Sequence, residues 1–177
     1  MTITVNGQKR DIQSPGDTPL LYVLRNELDV MSPQFGCGLA QCGACSVLLD
    51  GREIRSCVTV VSAAAGREIA TVEGLPARWA KQKKLSAAEV TLHPVQEAWI
   101  EEQTPLCGYC QSGMMIKATE LLEANPQPTV AEIKAAFTTS GPSPHLCRCG
   151  SYFAIVEAVR YASSLMAGTQ LAKGGAK

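Results

Sequence analysis

No surplus of charge marks this sequence: 16 lysines and arginines meet 16 aspartates and glutamates, and the basic residues are scattered. Without a basic stripe to neutralise phosphates, a nucleic-acid partner is not expected. A long apolar run is also missing, so the chain is not expected to insert into a membrane by itself. The opening residues, MTITVNGQKR, lack the charged-then-apolar layout of a secretory leader, and no twin-arginine pair appears. The expected location is the cytoplasm, or the periplasmic face of the inner membrane if the folded chain travels with a partner. No Ser–His–Asp set and no paired-carboxylate site stands out, so no catalytic residue is assigned.

Cysteine is what the sequence has in number, with eight in 177 residues. Four disulfides would consume them. A chain of this length with 46% hydrophobic residues can bury a core without covalent staples. The missing leader also implies a reducing compartment. Metal binding is therefore the expectation.

The organisation changes midway. "TITV" and "QKRDI" flank Asn6–Gly7, a type I′ hairpin signal, and "CSVLLDGREIRSCV" is a second hairpin turning at Asp50–Gly51. Between them "TPLLYVLRNEL" predicts a helix capped by Thr18, with Pro19 in its first turn and Leu20, Leu21, Leu24 and Leu28 on one face. Residues 77–92 predict a solvated connector whose lysines are a wet surface. Beyond it four helices are expected. They start at Pro94, at Ser112 as a cap, at Thr129 in capping-box spacing with Glu132, and at Ser151 with Tyr152, Ile155, Val156 and Val159 on a stripe. Four short helices make a bundle. The fold class is thus α+β, with units at 1–76 and 93–166 and a disordered tail at 167–177.

The cysteines divide along the same line. Cys37, Cys42, Cys45 and Cys57 spell C-x4-C-x2-C followed by a fourth cysteine after eleven residues, the plant-type [2Fe–2S] spacing. Three ligands from one loop need unusual backbone angles and close approach. Gly36, Gly38, Gly43 and Ala44 permit both, and their N–H groups can aim at sulfur. Zinc prefers paired CxxC knuckles, and only Cys42–Cys45 has that form here. The second set, Cys107, Cys110, Cys147 and Cys149, is compatible with either zinc or a cluster. Each of its pairs precedes a predicted helix, whose N-terminus favours an anionic group.

Read together, "GCGLAQCGACSVLLDG", "RSCV", "CGYCQSGM" and "LCRCGSY" closely resemble the small [2Fe–2S] subunits of the molybdenum hydroxylases, over about Ile3 to Tyr161. "HPVQEAWIEEQ" is most similar to the isoquinoline, nicotinate and aldehyde branch. The resemblance implies a β-grasp, ferredoxin-like N-terminal domain facing the electron acceptor and a helical domain beside a molybdopterin held by a separate large subunit. Each domain would carry one cluster on its four cysteines, with Gly108 inside the third motif. Cys149 would contact the pterin and admit electrons. The chain would be a non-catalytic iron–sulfur subunit, passing electrons singly to a cytochrome c, a flavin (FAD) subunit or a quinone. Three positions depart from the pattern. Leu106 stands where relatives have a pterin-contacting Gln, His145 follows "GPSP" where many have Asn, and Phe153–Ala154 occupy a stretch that often holds Arg. The connector also looks longer than in many relatives.

Single residues carry smaller expectations. His145 is a loop or interface histidine in preference to a ligand, His93 and Trp99 are structural, and Met114 and Met115 fill the bundle. Arg148 either raises a cluster potential, meets a cofactor phosphate or forms a surface salt bridge. Two alternatives stay open: a free-standing ferredoxin-like carrier, which would tend to be acidic, and a zinc-stabilised binding module.

Overall fold

The computed structural model describes residues 1–86, 88–142 and 144–168. The first strands, β1 (Thr2–Val5) and β2 (Gln8–Asp11), pair antiparallel from Thr2↔Asp11 to Val5↔Gln8. Asn6 and Gly7 both hold positive φ, 52° and 79°, as a type I′ turn requires. The second hairpin, β3 (Ser46–Leu49) and β4 (Arg52–Arg55), turns at Asp50 and Gly51 in the same way. A fifth strand, β5 (Glu68–Ala70), was not expected. It runs parallel to β1 and antiparallel to β3, which joins the two hairpins into one mixed sheet ordered β2-β1-β5-β3-β4. Three residues, Glu-Ile-Ala, are too few to display alternation, so only their neighbours define them.

The helix expected after Thr18 is shorter and wider than its pattern suggests. A single turn, α1 (Leu20–Tyr22), passes into a π turn over Val23–Glu27, closed by Leu28 N–H on the Val23 carbonyl at 3.1 Å. Thr18 does not cap it. Its carbonyl accepts from Val61 instead, and Pro19 bridges to Val60. Leu20, Leu24 and Leu28 enter the sheet core, whereas Leu21 packs on Cys45 and Cys57.

Residues 77–92 are not wholly a connector. Helix α2 (Leu75–Lys83) occupies their first part, with Pro76 in the first turn where its missing N–H is harmless. It ends at Lys84 in the left-handed region, φ 56°. Leu75 is buried with Leu48, Ala70 and Ile116, so this helix wedges between the sheet and the helices beyond. Arg78 binds Glu123 through two bonds, 2.8 and 2.7 Å.

The remaining helices are α3 (Pro94–Glu101), α4 (Gln111–Ala124), α5 (Val130–Thr138) and α6 (Tyr152–Met166). Thr129 and Glu132 form the expected capping box, and His93 with Gln96 forms another. Ser112 caps nothing: α4 already begins at Gln111, with Cys110 in the cap position. Ser151 occupies the cap position of α6, but its hydroxyl makes no cap bond. Of the α6 stripe, Ile155 and Val159 are buried, Val156 is half-buried, and Tyr152 is 39% exposed. All four helices share one apolar core that includes Trp99, Met114 and Leu122, with Met115 packed at its edge. The expected tail at 167–177 lies outside the described residues except for Ala167 and Gly168, which form a turn. Among the described residues no helix is long and apolar enough to cross a membrane.

Candidate metal centres

No disulfide joins any of the eight cysteines in this structure. The loop from Gln34 to Ala44 is closed by Gln34 N–H on the Ala44 carbonyl at 3.0 Å. Within it Gly38, Ala40 and Gly43 hold positive φ of 67°, 59° and 78°. Gly36 is needed for space: a Cβ there would lie 2.6 Å from Cys42 Sγ. The amides aimed at sulfur are not those of the glycines. Leu39 and Gln41 donate to Cys37 Sγ at 3.3 and 3.2 Å, and Cys37 N–H donates to Cys42 Sγ at 3.4 Å. Cys45 and Cys57 face each other at 3.2 Å between sulfurs, both buried, with Cys57 arriving just after β4.

The second set is built on two helix starts. Cys110 takes the cap position of α4, and Cys147 and Cys149 lie in the loop before α6. Sulfur contacts join Cys110 to Cys147 and Cys107 to Cys149. The first pair is buried and the second exposed. Gly108 holds φ 83° between Cys107 and Tyr109. A polar brace secures the buried pair: Trp99 Nε1 donates to Gln111 Oε1 at 2.8 Å, and Gln111 Nε2 donates to Ser151 Oγ at 3.1 Å and Cys110 Sγ at 3.4 Å. Ser151 Oγ also lies 3.3 Å from Cys147 Sγ, and Tyr152 OH accepts the Cys147 N–H at 2.8 Å. Sequence reasoning missed Gln111 as a brace. A glutamine directly after CxxC, inside an otherwise apolar helix start, was the available signal.

Cys37 and Cys42 are likewise in sulfur contact, so the sulfurs stand as two facing pairs at each site. Among the described residues no three Cys, His, Asp or Glu side chains surround a single ion. Two pairs suit a two-iron core, in which each iron takes two thiolates. The electrostatics agree. Burial, with the neighbouring Cys57 and Cys42 charges, pushes the Cys45 thiol up to about 12. Burial and Cys147 push Cys110 up to about 12. Burial opposes ionisation of Cys147 too, but bonds from Ser151 and from the Cys110 thiol bring it down to about 7. At Cys37 burial is likewise outweighed, by the Leu39 and Gln41 amides, and the thiol falls below its ordinary value. Thiolates packed this closely ionise together only around a multiply charged cation.

The two sites meet backbone to backbone. Leu146, beside Cys147, donates its N–H to the Cys42 carbonyl at 3.0 Å, and Tyr109 OH donates to the Phe35 carbonyl. The His145 ring packs on Gly43, and its Nε2 lies 2.8 Å from Glu53 Oε1 and 3.3 Å from Arg55 Nη1. Arg148 and Leu106 are exposed, Leu106 by 69%.

An iron–sulfur protein is the class that the fold, with its two separate groups of four cysteines, fits. Two family models match: a 2Fe-2S iron-sulfur cluster binding domain over residues 3–71 and a [2Fe-2S] binding domain over 71–160. The chain is 43% identical to one of the subunits of nicotinate dehydrogenase from Pseudomonas putida, covering 92% of this chain and 94% of the relative. It is 42% identical to the alpha subunit of isoquinoline 1-oxidoreductase from Brevundimonas diminuta, covering 90% and 94%. Among solved structures, aldehyde oxidoreductase from Desulfovibrio gigas superposes with a TM-score of 0.80 at 34% identity. That match covers 94% of this chain but only 17% of the other. Quinoline 2-oxidoreductase from Pseudomonas putida 86 gives 0.79 at 30% identity, covering 95% and 96%. The chain belongs to the family of two-cluster [2Fe–2S] small subunits of the molybdenum hydroxylases. It is an electron-transferring iron–sulfur subunit of an oxidoreductase complex, in preference to a free-standing ferredoxin.

Proposed function

We propose that the chain relays electrons one at a time from a molybdopterin centre on a large partner subunit to a further redox subunit. Cys107, Cys110, Cys147 and Cys149 would hold the entry cluster, and Cys37, Cys42, Cys45 and Cys57 the exit cluster, each with two cysteines per iron as the facing pairs suggest. Residues 1–76 are read as a β-grasp, plant-type ferredoxin-like domain, which the strand order with its one parallel pair supports. Residues 93–166 are read as a four-helix-bundle domain, which the shared core of α3 to α6 supports, and 77–92 join the two.

The observation that carries this reading is the disposition of the sulfurs: two sets of facing pairs, tied to each other by the Leu146–Cys42 backbone bond. Cys149 is exposed, and so are the apolar side chains Leu106, Tyr109 and Leu146 that flank the cysteines of its set in sequence, which suits a pterin held by a docked subunit. With Leu106 in place of Gln, the contact there is apolar. The further subunit would be a cytochrome c or an FAD protein, in the cytoplasm or at the periplasmic face. Relatives are named for nicotinate, isoquinoline and aldehydes, so the complex is read as oxidising an aldehyde or an N-heteroaromatic compound.

Purification of the native complex tests this. The expected result is about four irons per small subunit, two distinct paramagnetic signals after dithionite, and reduction of both by an aldehyde or N-heteroaromatic substrate. Colourless, paramagnetically silent material would overturn it.

A further inference from the structure

Between the two cysteine sites lies a group of buried charges. Glu53 and Arg55 alternate along β4, Ser46 stands opposite Arg55 in the β3–β4 register, Lys117 comes from α4, and His145 from the loop leading to Cys147. Arg55 Nη1 donates to Ser46 Oγ at 2.5 Å and to Glu53 Oε1. Glu53 Oε1 also accepts from Ser46 Oγ at 2.6 Å, and its Oε2 lies 3.4 Å from Lys117 Nζ. Lys117 in turn holds Glu120 at 2.7 Å. A buried ion pair is weak support for stability, since well-packed apolar residues often serve as well or better. Its position here suggests another use.

Arg55 sits two residues before Cys57 and directly across from the residue after Cys45. Ser56, between Arg55 and Cys57, donates its N–H to the Cys45 carbonyl at 3.4 Å, so Arg55 stands at the strand end that brings the Cys45 and Cys57 sulfurs within 3.2 Å, and its Nη1 also lies 3.3 Å from His145 Nε2. Glu53, which balances it, also turns toward His145 and Lys117 from the helical half. Arg55 is therefore anchored on the hairpin that carries Cys45 and Cys57, buried where charge is poorly screened.

We infer that Arg55 is a positioning residue for electron flow: its buried positive charge raises the reduction potential of the N-terminal cluster relative to the helical one. In the step it favours, the helical cluster loses one electron and the N-terminal cluster gains it, with no bond or proton change. The inference rests on the cluster assignment proposed above.

The test is potentiometry of the assembled complex, following the two paramagnetic signals separately in wild type, Arg55→Gln, Arg55→Lys and Glu53→Gln. Arg55→Gln is expected to cut the reduced-to-oxidised ratio of the N-terminal cluster at least tenfold at the wild-type midpoint, about 59 mV downward for one electron. The helical signal is expected to move less, and Arg55→Lys to restore most of the loss. Glu53→Gln, which removes the opposing charge, is expected to shift the N-terminal midpoint upward. It decides the question alone if Arg55→Gln fails to fold. Shifts of the same sign in both charge-removing variants, equal shifts in both clusters, or none would overturn the inference. Absence of the N-terminal signal from wild type would instead overturn the cluster assignment, and this inference with it.

Discussion

Replacing Gly113 by alanine puts the contact between the two centres under direct strain. Gly113 lies in the first turn of α4, three residues after Cys110. A Cβ at this position would run into the carbonyl oxygen of Gly43 and would stand 2.9 Å from that carbonyl carbon and 3.3 Å from Ala44 Cα. These atoms are main chain, in the loop that carries Cys42 and Cys45, so no rotamer change relieves the clash. Helix propensity alone argues the other way, favouring alanine over glycine by about 1 kcal/mol. Overpacking a rigid site costs about 1–3 kcal/mol, occasionally more, and a backbone obstacle belongs at the upper end. The expected net loss is about 2 kcal/mol. At roughly 2–4 °C per kcal/mol for a chain of this size, the midpoint should fall by about 4–8 °C. The assay is thermal loss of the visible cluster absorption in the full chain, beside Gly16→Ala, whose Cβ meets only the Ser62 side chain at 3.3 Å and 3.8 Å. If Gly113→Ala melts at or above the wild-type temperature, the backbone contact between the centres is refuted.

Three further outcomes are expected. Cys57→Ser should remove about half the iron and abolish one paramagnetic signal while the helical one survives; loss of both would mean the centres do not assemble independently. Glu123→Gln breaks the clamp that pins α2 to α4 and should cost about 1 kcal/mol in denaturant midpoint, after allowance for screening by solvent. Burial raises the Glu123 pKa, but the Arg78 and Gln82 bonds outweigh it, so the folded value lies below 4.5. The clamp's contribution is thus present above pH 4.5 and lost as pH falls through that lower value, which makes the difference between wild type and Glu123→Gln shrink in acid. His93 is buried, caps α3 by accepting the Val95 N–H at 3.1 Å, and has its pKa lowered to about 4, by burial first. The unfolded chain therefore binds the extra proton between pH 6.5 and about 4, and stability falls as pH falls through that window, by on the order of 3 kcal/mol in all. His93→Asn should flatten the slope between pH 7 and 5, and an unchanged slope would remove His93 as its source.

What the chain determines locally was legible in the sequence. Asn6–Gly7 and Asp50–Gly51 turn where their left-handed preferences require, Thr129 caps α5 with Glu132, and the run from Gly36 to Cys45 takes a tight loop whose own amides reach the Cys37 and Cys42 sulfurs. Each depends on residues a few positions apart, whose steric and hydrogen-bonding demands are met within the segment itself. Tertiary structure decided the rest. β5 exists because β1 and β3 offer it unpaired backbone on both sides, and α2 stays in place through Leu75 and the Arg78–Glu123 clamp. Ser112 and Ser151 look like caps in sequence, yet the helix start and the Cys147 sulfur claim those positions for other uses. Which sulfur faces which, and the gathering of Glu53, Arg55, Lys117 and His145 between the centres, could not be read along the chain. Spacing dictates how many thiolates a loop can present, but charges far apart in sequence become neighbours only when the sheet and the helices close on one another and exclude water between them.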